Sequence, residues 1–164
     1  MLLRELACDL HLHEVAGGHF DIGPFHVSSH LVCHPNHAVG YRIQEGDCVL
    51  AYLPDHEPAL GVRRFPLPAE WTSGFQLAAG ADLLIHDAQY SNAEYVDRVG
   101  FGHSSISQAL QFAALAGVKQ LAPFHHDPAH SDEDLDRLMA EAIAEARPKF
   151  QVTPAMEGAV FELS

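Results

Sequence analysis

Basic residues are scarce in this sequence, and several other features are absent. The 164 residues include 9 lysines and arginines against 22 aspartates and glutamates, which gives a formal net charge of −13. A chain this acidic is a poor nonspecific binder of nucleic acid or anionic membrane. No apolar run approaches the roughly 18 residues of a membrane span, and the first residues lack the pattern of a signal peptide. The sequence therefore predicts neither a membrane protein nor a general nucleic-acid binder.

Cysteine is also scarce. The three cysteines, Cys8, Cys33 and Cys48, form neither an even disulfide framework nor a Cys-x-x-Cys pair. This usage is typical of a reducing compartment, and it predicts a cytoplasmic protein. Cys33 precedes His34, but neighbours in a strand point to opposite faces, so at most one of them can face a given site. We interpret Cys33 as a small buried apolar residue.

Histidine, by contrast, is abundant, with 13 copies. Many of them stand near carboxylates where an apolar run ends or a helix opens, which is where α/β proteins expose reactive side chains. Neutral imidazole is the commonest metal ligand, and carboxylates complete such sites. The pattern predicts a metal-dependent hydrolase. The clusters are His34-Pro35-Asn36-His37, Asp55-His56-Glu57-Pro58, Gly102-His103-Ser104-Ser105 and Phe124-His125-His126-Asp127-Pro128.

The hydrophobic pattern changes along the chain. The first half alternates as strands do, and the second half alternates helical with strand-like segments. This order predicts an α/β fold with helices packed on a mixed sheet, in one domain spanning residues 1–164. Predicted strands cover residues 9–14, 25–33, 38–44, 48–53, 82–86, 118–124, 150–152 and 159–163, and predicted helices cover residues 72–79, 91–99, 105–116 and 131–147.

Three candidate metal ligands stand at strand ends. Asp55 and His125 each lie just past an apolar strand, and His34 ends a third one. Strand ends can converge at one edge of a sheet, so the three side chains can share a site. A His/Asp/His set suits zinc, manganese or iron.

Five linked strings, in this order and at this approximate spacing, resemble the metallo-β-lactamase-fold hydrolases. Within that superfamily they are most similar to the branch that holds ribonuclease Z and small-molecule phosphodiesterases. The resemblance extends over about residues 18–145. The strings are His34-Pro35-Asn36-His37-Ala38-Val39-Gly40-Tyr41-Arg42-Ile43, Tyr52-Leu53-Pro54-Asp55-His56-Glu57-Pro58, Ala81-Asp82-Leu83-Leu84-Ile85-His86-Asp87-Ala88-Gln89-Tyr90, Gly100-Phe101-Gly102-His103-Ser104-Ser105 and Phe124-His125-His126-Asp127-Pro128.

The resemblance implies an αββα sandwich that binds two metal ions, usually zinc and sometimes manganese or iron. It implies that His34 binds one metal, that Asp55 bridges both and that His125 binds the second. His103 resembles the histidine that assists proton transfer to the leaving group, and Asp87 resembles the residue that orients it. The implied reaction is phosphodiester hydrolysis by hydroxide that the metals activate.

The family's metal signature, His-x-His-x-Asp-His, is missing from this sequence. The nearest string is His11-Leu12-His13-Glu14, and no Asp-His follows it. The chain resembles the end of the family's first half with all of its second half, so we expect an N-terminally truncated domain. An apolar sheet face would then stay open for a second copy or a partner chain to cover.

Two functions stay open on the sequence alone. The first is a phosphodiesterase acting on a small phosphodiester, since no basic insertion resembles the arm with which ribonuclease Z holds transfer RNA. The second is a catalytically incomplete half-domain that associates with itself or a partner and binds little or no metal. For the chain alone we expect weak or no activity. A thioester or lactam hydrolase is a third option, and it has no particular need for His103 with Asp87.

The remaining candidates have simpler interpretations. His56 and His126 each follow a predicted ligand, and we expect them to support that ligand or face solvent. His86 is predicted to be a packed core histidine. Glu57 with Pro58 is predicted to form a turn.

Overall fold

The computed structural model describes residues 18–58, 65 and 68–163. These residues form one seven-stranded sheet with the strands in sequence order. The strands are β1 His19–Ile22, β2 Phe25–Val32, β3 Ala38–Glu45, β4 Cys48–Leu53, β5 Leu83–Asp87, β6 Gln120–Phe124 and β7 Gln151–Val152; the helices are α1 Phe75–Ala78, α2 Asn92–Tyr95, α3 Ile106–Ala116 and α4 Asp132–Ala146.

The sheet is antiparallel in its first part and parallel in its second. β1 to β4 pair antiparallel, with tight turns at Gly23 and Gly46, and β4 to β7 pair parallel. Parallel neighbours need long crossover connections, which α3 and α4 provide between β5, β6 and β7. The prediction of an α/β fold with helices on a mixed sheet is confirmed.

Most predicted elements are present with shifted ends. Ser105 caps α3 through a capping box with Gln108, and Gly117 ends this helix in the left-handed region at φ 66°. β1 was not predicted, because the glycines before it indicated only a turn. The predicted strand over residues 159–163 is wrong, since these residues form no strand. The predicted strand over residues 9–14 lies outside the described residues.

One face of the sheet carries the core. α1 contacts β2, β3 and β4, and α3 contacts β5 and β6. Arg42 in β3 donates hydrogen bonds to two carbonyls at the end of α1, so its side chain faces that helix. The largest apolar side chains buried in this layer are Leu53, Leu84, Leu110, Phe112 and Leu121.

The opposite face of the antiparallel part carries apolar side chains that are only partly buried. Since side chains alternate along a strand, the neighbours of Arg42 point away from α1. Leu31, which pairs with Val39 and therefore shares its face, is 67% exposed. We call this partly buried apolar surface of the sheet the open face; it comprises Leu31, Val39, Tyr41, Ile43, Leu50 and Tyr52.

None of the described helices has the length and apolar character that a bilayer span requires.

Candidate active site

The topology brings the candidate residues to one edge of the sheet. β4, β5 and β6 are parallel, and β2 runs in the same direction because it is separated from β4 by two antiparallel steps. Their carboxyl ends therefore lie at the same edge, where ligand sites of α/β sheets occur. Asp55 follows β4, Asp87 ends β5 and His125 follows β6 directly, while His34 lies two residues past β2.

Four side chains at this edge of the sheet form a compact group. Asp55, Asp87, His103 and His125 each offer one potential ligand atom, and these atoms all lie within 4.8 Å of one another. The Asp55 Oδ1 atom is 3.3 Å from the His125 Nε2 atom. His125 has a φ of 59°, in the left-handed region that residues other than glycine rarely adopt. Backbone strain of this kind clusters at functional sites.

His34 lies beside this group but outside the set of four. Its ring centroid is 5.3 Å from that of His103, edge to face. The His34 Nδ1 atom is 3.2 Å from both the amide nitrogen and the carbonyl oxygen of Asn36. The tautomer in which Nδ1–H donates to that carbonyl leaves the Nε2 lone pair for a metal. The assignment of His34, Asp55 and His125 as metal ligands stays a prediction.

Asp87 is fully buried, and both of its oxygens are occupied. The Oδ2 atom accepts hydrogen bonds from His103 Nδ1 at 2.6 Å and from the amide of His56 at 3.2 Å. The Oδ1 atom accepts from the amides of Ser104 at 3.1 Å and Gln89 at 3.2 Å. A carboxylate with four donors has little capacity left for an ion, so its place suits orientation of His103.

The His103 ring is held in one orientation by Asp87. Its hydrogen bond to Asp87 raises the pKa of the imidazole above the ordinary value, and this effect outweighs the lowering by burial. Because Nδ1 is bonded to Asp87, Nε2 is the nitrogen left to exchange a proton. The ring stacks on His125 at 5.0 Å between centroids and has Tyr90 at its edge at 6.2 Å.

Pro58 lies in a turn, as predicted, but Glu57 beside it makes contacts that a turn alone does not need. Its side chain is fully buried. The Oε1 atom accepts hydrogen bonds from the Tyr95 hydroxyl at 2.5 Å and the Gly100 amide at 2.9 Å, and Oε2 accepts from the Gly102 amide at 2.9 Å. Burial and this carboxylate raise the pKa of Tyr95 to about 12. Little in the sequence indicates these contacts, since two of the three partners are backbone amides more than 40 residues away.

His56 and His86 form a buried pair behind the site. The His56 Nδ1 atom is 2.9 Å from His86 Nε2, and His86 Nδ1 is 2.6 Å from the carbonyl oxygen of Asp87. Both rings pack on Phe112. Burial lowers the pKa of both imidazoles, so both are neutral near pH 7. The prediction of a packed His86 is confirmed, whereas a solvent-facing His56 is wrong.

The donor chemistry at the edge fits a divalent metal. Asp87 and His103 bond to each other, but Asp55 and His125 have side chains 40% and 35% exposed. A carboxylate and imidazoles are the ligands that zinc accepts in catalytic sites. With His34 nearby, the described residues offer the predicted His/Asp/His set. His11 and His13 lie outside the described residues.

One curated relative supports the resemblance at the level of sequence. Ribonuclease Z of Brevibacillus brevis is 42% identical over 78 residues, which cover 48% of this chain and 24% of that protein. The chain therefore matches about a quarter of this relative's length. No protein-family profile matches the chain.

Solved structures support the fold. The metallo-β-lactamase-fold protein YhfI from Bacillus subtilis superposes with a TM-score of 0.68 at 22% identity, covering 87% of this chain and 52% of YhfI. The short form of human tRNase Z superposes with a TM-score of 0.61 at 23% identity, covering 88% of this chain and 46% of that structure. The chain has the metallo-β-lactamase fold, and its resemblance to the ribonuclease Z branch is confirmed.

Proposed function

We propose that this chain carries the second-half residues of a metal-dependent phosphodiesterase of the metallo-β-lactamase superfamily. The observation that carries the proposal is the grouping of Asp55 and His125 with the Asp87–His103 pair at one sheet edge. The first pair offers open ligand atoms, and the second offers a positioned proton donor. Hydrolysis of a phosphodiester needs both.

The residues divide the reaction between them. His34, Asp55 and His125 would hold the metal, with Asp55 bridging two ions where two bind. Zinc, manganese or iron in that position would supply a Lewis acid and lower the pKa of a water. His103 would donate a proton from Nε2 to the leaving oxygen, and the hydrogen bond to Asp87, which raises its pKa, favours the protonated imidazole. Asp87 would hold the imidazole in the tautomer with Nδ1 protonated.

A small phosphodiester suits this site better than RNA. The net charge of −13 opposes a long polyanion. The Arg98 guanidinium lies 5.8 Å from the Tyr90 ring centroid and 5.6 Å from that of Phe101, and Tyr90 in turn contacts His103. A single arginine beside Tyr90 can bind one anionic group of the substrate.

The alternative of a half-domain that binds little or no metal is not favoured. A domain without catalytic activity would not require a fully buried Asp87 whose two oxygens both accept hydrogen bonds from the His103 loop. Burying a carboxylate is costly unless it is fully hydrogen-bonded, so the arrangement is typical of a working site. The thioester or lactam option is weaker for the same reason, because it needs no such pair.

We further propose that a second copy or a partner chain covers the open face. Leu31 is 67% exposed there and is surrounded by partly buried apolar neighbours. Such surfaces are typical of protein contacts. Light scattering of the purified protein tests this, and a monomer at micromolar concentration would contradict self-association.

Cys33 and Cys48 are free thiols, which supports a cytoplasmic location.

Metal content measured together with turnover tests the proposed function. Protein never exposed to a chelator is measured by plasma mass spectrometry and assayed with bis(p-nitrophenyl) phosphate. We expect bound zinc, manganese or iron, with about two ions per chain if the site is complete, and hydrolysis that His103→Ala lowers. A metal content well below one per chain with no turnover would favour the incomplete half-domain. Turnover that His103→Ala leaves unchanged would contradict the proton-transfer role.

A further inference from the structure

The two parts of the site that carry His34 and His103 are joined through one buried residue. The backbone amide of Glu57 donates to the carbonyl of Cys33 at 3.0 Å, directly beside His34. The carboxylate of the same residue accepts from the amides of Gly100 and Gly102, directly before His103. We propose that Glu57 is a positioning residue that sets the His103 loop against the end of β2. Its catalytic consequence rests on the proposed function.

The carboxylate is matched to its donors. Three donors, the Tyr95 hydroxyl and the two glycine amides, meet the two oxygens of this fully buried side chain. Hydrogen bonds to an ionised acceptor are about twice as strong as neutral ones. Gly100 and Gly102 have φ values of 88° and 95°, in the region that favours glycine, and this backbone turns both amides toward the same carboxylate. The loop is therefore folded around this carboxylate.

The loop that Glu57 holds is in direct contact with His34. A Cβ atom added to Gly102 would lie 2.2 Å from His34 Cδ2 and 2.4 Å from Pro35 Cδ. These distances leave no free space, so a shift of the loop moves the His34 ring. His103 stands next in the chain, with its ring 5.3 Å from that of His34. The position of Glu57 thus fixes both imidazoles together.

Glu57 touches neither ring itself, which separates its role from those of the residues at the edge. Asp87 already orients the His103 side chain through Nδ1, while Glu57 fixes the backbone from which that side chain extends. A group of this kind affects the rate through geometry, and a misplacement of about 1 Å costs on the order of 100-fold.

The test compares Glu57→Met, which removes every acceptor, with Glu57→Gln. Glutamine can keep one oxygen on both glycine amides while its NH₂ group donates to the Tyr95 oxygen, so it serves as the conservative variant. Glu94→Gln is the matched control, because it removes the charge that pairs with His130 and leaves the acceptor of the glycine amides in place. Each variant is examined by amide hydrogen exchange, by steady-state kinetics with bis(p-nitrophenyl) phosphate and by thermal melting.

We expect Glu57→Met to remove the exchange protection of the Gly100 and Gly102 amides and to lower kcat about 10- to 100-fold. KM should stay within about threefold, because Glu57 does not contact substrate. Glu57→Gln should recover most of both losses, and Glu94→Gln should lower the melting temperature without changing either. If Glu57→Met does not fold, Glu57→Gln carries the test, with a smaller loss of protection confined to the same two amides.

Two results would overturn the proposal. One is full protection of both glycine amides in a folded Glu57 variant. The other is a kcat loss in that variant no larger than in Glu94→Gln at the same loss of stability. The exchange measurement needs no activity, so a protein without phosphodiesterase turnover would refute the proposed function and still leave the positioning role measurable.

Discussion

Asp55 and Asp87 end neighbouring strands of one sheet, yet their surroundings differ completely. Asp55 has a 40% exposed side chain with His125 Nε2 at 3.3 Å, whereas Asp87 is fully buried and accepts four hydrogen bonds. A carboxylate that binds a metal ion must keep oxygen lone pairs free, whereas a carboxylate that positions another side chain must use them to accept hydrogen bonds. We therefore propose different tasks for the two carboxylates, and substitutions at each should have different effects.

The largest effect is expected from Asp55→Ala. Removal of the proposed bridging carboxylate should eliminate metal binding and lower turnover about 1000-fold or more, since Lewis-acid catalysis contributes several kcal/mol. The stability of the protein should change by less than about 0.5 kcal/mol, because the side chain is exposed. Metal analysis and urea unfolding of the same preparation check both. Retention of metal would contradict the ligand assignment.

Asp87→Asn should show the opposite combination. An asparagine presents an NH₂ group toward donors that now bond to a carboxylate oxygen, and each buried unsatisfied donor costs about 1–3 kcal/mol. Metal content should stay near that of the unchanged protein, while kcat falls about 100-fold as His103 loses its partner. The exposed Asp97→Asn serves as control. Loss of metal with unchanged stability would reverse the division of tasks between the two carboxylates.

The comparison extends to the histidines, since His56 and His86 are buried where His125 is open. Burial lowers the pKa of both buried imidazoles, so the unfolded chain binds more protons below its ordinary histidine pKa near 6.5. Stability should therefore fall as the pH decreases from 7 through 6.5 and below. Urea unfolding at several pH values measures this slope. His86→Phe should flatten the slope, and the exposed His26→Gln should leave it unchanged; an equal slope in all three would contradict the assignment.

The sequence predicted which residues lie at the sheet edge better than which buried residues hold them in place. His34, Asp55 and His125 could be placed because strand ends of one sheet meet at one edge. The pairing of His103 with Asp87 followed from the resemblance alone. Glu57 could not be placed, because its side chain binds backbone amides, which any residue provides. The orientation of His56 was also beyond reach, since it depends on the cavity beside Phe112.

The fold shows the same limit. Segments whose hydrophobic pattern coincides with a partner in the sheet, such as β4 Cys48–Leu53 and β6 Gln120–Phe124, were predicted nearly to their ends. Residues 159–163 alternate in the same way but have no neighbouring strand among the described residues, and an unpaired strand is not stable. The hydrophobic pattern gives a segment a preference for a strand, and pairing with a neighbouring strand decides whether that strand forms.

Arg98 gives the smallest expected effect and tests whether charge near the site binds substrate. Arg98→Ala should raise KM for a phosphodiester about 2- to 5-fold, because an exposed cation contributes about 0.5–1 kcal/mol, and kcat should stay unchanged. Arg137 on α4 pairs with Asp134 and Glu141, so Arg137→Ala is the matched control. The KM increase should diminish at high salt, since screening weakens exposed charges. An equal KM for both variants would separate Arg98 from substrate binding and leave recognition to the residues that hold the metal and the proton.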